Sequence, residues 1–289
     1  LQRLIGSFIA VLLMFIFLPL EPYTPILFII LSALLLFLVS YFYAQNQSKS
    51  YAFIFCMITI TLISNESLAN GYYLGFKLGF FWILNIAIAV LLTLGSTYLI
   101  KNFSSKLKLH QTVENKPINN AGWYNYNFIS TLVAIRITLS VLIVSIINWY
   151  FNITDINLQA LITTIVVTSQ RSTQNFNRKI WNRLLGILIG CVLAIIYAKI
   201  CIYFKQQWLL VALLTICFTI SIFIDKKIKY AKYIILQAVI MIPIISLTDS
   251  HSWLNSKLLY ERSLGSIEGA IIAIIIFYII HMFGKNIKN

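Results

Sequence analysis

Acidic side chains are scarce in this chain: its 289 residues hold 8 aspartates and glutamates against 22 lysines and arginines, a formal net charge of +14. Charge of either sign is scarce as well, at 10% of residues, where a soluble domain carries about 25%. That deficit, beside 60% hydrophobic residues and a mean hydropathy of +0.87, excludes a domain folded in water and excludes disorder. Cysteine is limited to Cys56, Cys191, Cys201 and Cys217, each inside an apolar run and without CxxC or Cys/His spacing. A disulfide scaffold is therefore excluded, and buried, inert thiols are expected. The histidines His110, His251 and His281 are scattered and make no metal-ligand set. No Walker motif is present, so neither an ATPase of its own nor a cofactor is expected.

What the chain does have is long apolar runs. Ten segments suit bilayer-crossing helices: Leu4–Leu18, Pro25–Tyr43, Tyr51–Ser64, Leu78–Ile100, Phe128–Phe151, Leu158–Ser169, Leu184–Ala198, Trp208–Ile224, Tyr233–Leu247 and Leu264–Phe283. Tyr51–Ser64 and Leu158–Ser169 are short, as tilted or partly re-entrant segments would be. The runs are continuous rather than alternating, which excludes a β-barrel reading. The fold class is thus an all-α, polytopic helical membrane protein of about ten helices.

Charge placement orients it. With the N-terminus on the cytoplasmic side, only Lys77, Lys199, Lys205, Lys257 and Arg262 fall outside. Arg136 lies within a helix, and every other basic residue falls inside. This obeys the positive-inside rule with both termini cytoplasmic, and a bacterial inner membrane is the simplest home. No small-residue cleavage site follows the first run, so no cleavable signal is expected.

A motif repeats along the chain. Arg3-Leu-Ile-Gly6-Ser-Phe-Ile-Ala10 aligns with Arg183-Leu-Leu-Gly186-Ile-Leu-Ile-Gly190, and Arg262-Ser-Leu-Gly265-Ser-Ile-Glu-Gly269 is a third copy. Each reads R-x-x-G-x-x-x-[GA] at a helix start, and its small residues share the arginine's face. Such spacing admits a close neighbouring helix, with the arginine either at the mouth of the groove or snorkelling to lipid phosphates. The repeat divides the chain into a first membrane half, 1–100, a cytoplasmic linker, 101–127, and a second half, 128–289. The second half holds six helices and the first only four, which match its last four. Two helices are therefore expected ahead of Arg3 in the parent protein, unless the first half shed them.

From Ala134-Ile135-Arg136 through Ala160-Leu161-Ile162-Thr163-Thr164, Val166-Val167 and Gln170 to Arg178, Arg183-Leu-Leu-Gly186 and Gly190, the second half resembles the fusaric acid resistance and aromatic acid exporter family of bacterial inner-membrane proteins. Arg262, Gly265, Ser266 and Gly269 resemble its later arginine–glycine helix, and Arg3, Gly6 and Ser7 carry the resemblance in the first half. Ile187 replaces the family's usual threonine, Gln159 stands where tryptophan is common, and the sizeable cytoplasmic domain of many members is missing. The resemblance implies a secondary transporter that exports organic, chiefly aromatic, carboxylic acids. An anion channel of related architecture and a non-transporting fragment are the alternatives. An enzyme is not expected, because Glu268 lacks the clustered acids, paired histidines or nucleophile that intramembrane catalysis needs. Candidate partners are the lipid bilayer, a small organic anion, a periplasmic adaptor protein and a second copy of the chain. Nucleic acid is not among them.

Ionisable groups inside a bilayer cost about 2.5–3.5 kcal/mol each on insertion scales, so each calls for a reason. Arg136 is expected to grip a substrate carboxylate through its planar fork, with Glu268 as its resting partner and proton carrier. The plainer reading has Arg136 snorkelling and Glu268 filling a polar packing position. Arg3, Arg183 and Arg262 join them as candidate substrate-binding or coupling residues. Gly6, Gly186, Gly190, Gly265 and Gly269 are the packing motif. The basic turn Arg171–Arg183 either steers anions or binds anionic lipid. Pro243, Gln237 and Asn85 are polar or helix-breaking positions expected to line a cavity or join helices.

Overall fold

The computed structural model describes residues 2–46, 50–106, 128–151, 154–170, 173–204, 232–246 and 256–286, together with 212, 215, 216 and 219. Among the described residues there are nine α-helices and no strand: α1 (Gln2–Phe17), α2 (Pro25–Gln45), α3 (Ser50–Asn70), α4 (Tyr72–Lys106), α5 (Phe128–Tyr150), α6 (Thr154–Thr168), α7 (Thr173–Phe204), α8 (Lys232–Ser246) and α9 (Ser256–Asn286). The expected segment Trp208–Ile224 lies essentially outside the described residues, as do most of the linker, Arg171, His110 and His251.

Seven of these helices contain spans long and apolar enough to cross a membrane: Gln2–Leu20, Pro25–Gln45, Ser50–Asn70, Tyr72–Leu92, Phe128–Tyr150, Asn175–Ile200 and Tyr260–Met282. The expected short third segment is corrected, because α3 runs on to Asn70. Polar residues past the apolar run are satisfied along the helix: Asn65 Nδ2 donates to the Thr61 carbonyl at 2.8 Å and Asn70 Nδ2 to Glu66 Oε1 at 3.0 Å. Helix α6 does stay short, at 15 residues. Helix α7 is corrected the other way. It begins at Thr173 rather than near Leu184, so Arg183 is not at a helix start but eight residues inside the Asn175–Ile200 span, about 12 Å at 1.5 Å per residue.

Burial differs from that of a soluble protein: apolar residues fill the core and also cover the outside, with small hydroxyls enclosed among them. Ser7, Ser40, Thr59, Thr163, Thr164 and Ser266 are fully enclosed, while Ile26, Leu91 and Leu92 are 74%, 68% and 69% exposed. Apolar side chains outward and hydroxyls inward is the arrangement lipid favours, since a solvent that offers no hydrogen bonds leaves the polar groups to satisfy one another. The molecule is a multi-pass membrane protein.

The chain divides into two compact units within α5, one ending at Leu142 and the other running from Ile143 to Asn286. In the first, α1 lies parallel to α3, with α2 between them in the chain. A Cβ built on Gly6 would stand 2.0 Å from the Ala52 carbonyl oxygen, so only glycine permits this approach. Thr59 then ties three helices: its Oγ1 donates to the Phe55 carbonyl at 2.7 Å, lies 3.0 Å from Ser7 Oγ and accepts from Trp82 Nε1 at 3.0 Å. Gly71, at φ +89°, is the left-handed residue that closes α3 and opens α4, its N–H donating to the Ser67 carbonyl at 2.8 Å.

In the second unit α7 lies parallel to α8. Added Cβ atoms at Gly186 and Gly190 would each stand 2.7 Å from a side-chain Cβ of α8, those of Gln237 and Met241. The first two motif copies therefore use their small residues in the same way. Helix α6 runs parallel to α9, where a Cβ on Gly269 would meet the Ala160 carbonyl oxygen at 2.3 Å. Helix α9 is antiparallel to α7, with Phe277 stacked on Phe176 at 3.7 Å and Ser263 Oγ 3.2 Å from Cys191 Sγ. Phe176, Ile180, Val167, Ala270, Ala273 and Phe277 form the core between them.

Candidate functional site

The three motif arginines do three different things. Arg3 is exposed and lies across α3, hydrogen-bonding the Tyr51 hydroxyl with Nε at 2.6 Å and with a terminal nitrogen as well. Its guanidinium sits 4.7 Å from the Phe55 ring centre, a cation–π contact. Arg3 thus braces the α1–α3 pair that Gly6 brings together.

Arg183 and Arg262 instead converge on α6. Arg183, only 3% exposed, donates from Nε to Thr163 Oγ1 at 2.9 Å. Arg262 donates to Gln159 Oε1 at 2.8 Å. Gln159 and Thr163 are four residues apart, so they share one face of α6 a turn apart. The two guanidinium groups act on each other electrostatically, and Glu261 and Lys179 belong to the same charged neighbourhood. Charge counting had set Arg183 and Arg262 on opposite sides of the membrane. The hydrogen bonds place both beside one helix turn, because each long side chain can lie along its helix rather than in the nearer loop.

Gln159 is itself held at both ends. Its Nε2 donates to Ser266 Oγ at 3.0 Å, and that hydroxyl donates to the Arg262 carbonyl at 2.8 Å. The result is a closed polar chain through two helices: Arg262 guanidinium, Gln159 amide, Ser266 hydroxyl, Arg262 backbone. One turn on, Thr164 Oγ1 donates to the Ala160 carbonyl at 2.8 Å and lies 3.2 Å from the Gly269 carbonyl.

The expected pair Arg136 and Glu268 fall in different units, and each has its own local neighbour. Arg136 is 6% exposed, which opposes snorkelling, and it interacts electrostatically with Tyr43. Glu268 is half-buried and accepts from Asn148 Nδ2 at 3.0 Å. Asn148, 2% exposed, also donates to the Val144 carbonyl at 2.9 Å, and its own Oδ1 is buried without a hydrogen-bond partner among the described residues. Of the remaining expectations, Arg178 and Asn85 are exposed, Lys179 and Gln237 half-buried and Gly265 buried. Among the described residues no group of three or more histidines, cysteines or acids could hold a metal ion. Sequence reading missed Asn148, took Gln159 only as a departure from the family and named Thr163 only as part of the family resemblance. The pointer available was polar residues at a spacing of four in an otherwise apolar helix.

These features define a helical membrane protein with small-residue helix pairs and a buried arginine site. Residues 139–276, which run from α5 through α9, match the model of a family described as fusaric acid resistance protein-like. Over that segment the chain is similar to this family, which points to a membrane transporter. No curated protein and no solved structure matches the chain.

Proposed function

We propose that the chain exports small organic carboxylic acids, aromatic ones foremost, across a bacterial inner membrane with both termini in the cytoplasm. The observation that carries this reading is the convergence of Arg183 and Arg262 on the Gln159–Thr163 face of α6, inside apolar spans. Guanidinium forks match carboxylates bidentately, and a site screened from water strengthens that attraction. Fusaric acid, named in the family's description, is itself an aromatic carboxylic acid. Arg136, buried in the first unit, is a second docking point on the same reasoning.

Efflux of labelled benzoate from proteoliposomes, with and without a pH gradient, tests the proposal. Saturable efflux that responds to the gradient supports it. Single-channel conductance would assign an anion channel instead, and no flux of any acid in a panel would remove the transport reading.

Glu268 is proposed as the coupling residue, since it is an acidic group within an apolar span whose hydrogen-bond partner among the described residues is the neutral amide of Asn148. Glu268→Gln is expected to bring the ratio of efflux with and without the pH gradient down to one. A ratio equal to that of the unmodified protein would exclude Glu268 from coupling.

A further inference from the structure

We infer that Gln159 is a built-in stand-in for the substrate's carboxylate, which the incoming anion must displace from Arg262. This rests on the export reading above and assigns a specificity-setting role at the same site. Three observations support it. First, the Gln159 amide oxygen already sits where a carboxylate oxygen would, 2.8 Å from a terminal nitrogen of Arg262. Second, its orientation is fixed, because the amide nitrogen is spent on Ser266 at 3.0 Å and only the oxygen can face the arginine. Third, the occupant is neutral. Arg262 has no ion pair among the described residues, although Glu261 is close enough to act on it electrostatically.

A neutral amide is a replaceable partner. A bond charged at both ends is roughly twice as strong as one between neutral groups, and a carboxylate can take two parallel donors from the fork where the amide takes one. The exchange therefore favours an anion, whereas a neutral alcohol or ester offers no gain over the amide. Selectivity for ionised acids follows, and affinity is held in check by the internal competitor. Arg262 is partly exposed while Gln159 is 6% exposed, so the charged partner is the one a solute can reach first.

The experiment compares Gln159→Met with Gln159→Glu in the full chain, using labelled benzoate as probe. Methionine matches the side chain in length and cannot accept from Arg262, so benzoate should bind about five- to tenfold more tightly, the worth of one lost competing hydrogen bond. Glutamate supplies a permanent rival anion, so the KM for benzoate should rise at least about tenfold. Opposite shifts support the inference. If both variants shift KM the same way, or lower only the maximal rate, Gln159 is a static clamp between α6 and α9 and the inference is overturned while export stands. If one variant fails to fold, the sign of the other's KM shift decides. An unmodified protein that neither binds nor moves benzoate or any acid of the panel would overturn the export reading, and this inference with it.

Discussion

Arg262→Met should cut benzoate efflux about a hundredfold per folded molecule, and Arg262→Lys about tenfold. The ranking follows from what each side chain keeps. Methionine retains the apolar stem but neither charge nor fork. Lysine keeps the charge and loses the two coplanar donors that fit a carboxylate. A hydrogen bond to a charged partner is worth about 1.5–3 kcal/mol, and each 1.4 kcal/mol is a factor of ten, which sets the scale. Removing Arg262 also leaves the Gln159 amide oxygen without its donor, so a folding defect could imitate a transport defect. Arg262→Met combined with Gln159→Leu removes both ends of that bond and separates the two. The double variant should fold as well as the unmodified chain and still fail to export. Export at the full rate by either variant would remove Arg262 from the site. Arg183→Met is expected to act at the same step, and because both arginines face one turn of α6 the two losses should not add.

The second large effect is on folding. Gly6→Ala and Gly269→Ala should each destabilise the protein by about 1–3 kcal/mol, the usual cost of overpacking. At these positions the added carbon would fall 2.0 Å and 2.3 Å from backbone carbonyl oxygens of Ala52 and Ala160, atoms that cannot rotate aside. Gly186→Ala and Gly190→Ala should cost somewhat less, because the nearest atoms there stand farther off: the Cβ atoms of Gln237 and Met241 at 2.7 Å and the carbonyl oxygens of Ile234 and Ala238 at 2.8 Å and 2.9 Å. Gly95→Ala is the control. Nothing lies within 4 Å of its added Cβ, and alanine's better helix propensity should leave stability unchanged or raised by up to about 1 kcal/mol. Thermal aggregation of the detergent-solubilised protein, followed by size-exclusion chromatography, measures the series. Equal midpoints for Gly6→Ala and Gly95→Ala would contradict the close approach of α1 and α3.

Most of the helical layout could be read from the sequence, because a bilayer imposes one strong constraint on every span and hydropathy reports it directly. The glycines of the repeated motif were legible for a related reason: a small residue every fourth position has few uses besides bringing helices together. Helix ends were less so. Helices α3, α4, α7 and α9 run past their apolar stretches into residues such as Asn65 and Arg183, whose polar groups are satisfied within the protein, and composition alone does not reveal a partner. The site was the least legible part. Arg183, Gln159 and Arg262 are separated by tens to about a hundred positions, and their meeting depends on the parallel lie of α6 and α9. Arg136 and Glu268 drew notice as charges in lipid, yet the neighbour that matters to Glu268 is Asn148, 120 positions away and unremarkable by composition.

The apolar exterior and the enclosed hydroxyls have a consequence for how this chain tolerates change. Positions facing outward, such as Ile26 and Leu91, are mostly exposed, so against lipid tails any aliphatic or aromatic residue of ordinary size should serve there and these sites should drift freely. Ser7, Thr59 and Ser266 are small and inconspicuous, but each sits where a missing hydroxyl would strand a bonded neighbour with no water to replace it. Across relatives, then, the greasy exterior should vary and the modest interior alcohols persist, the reverse of what a water-soluble protein of this size would display.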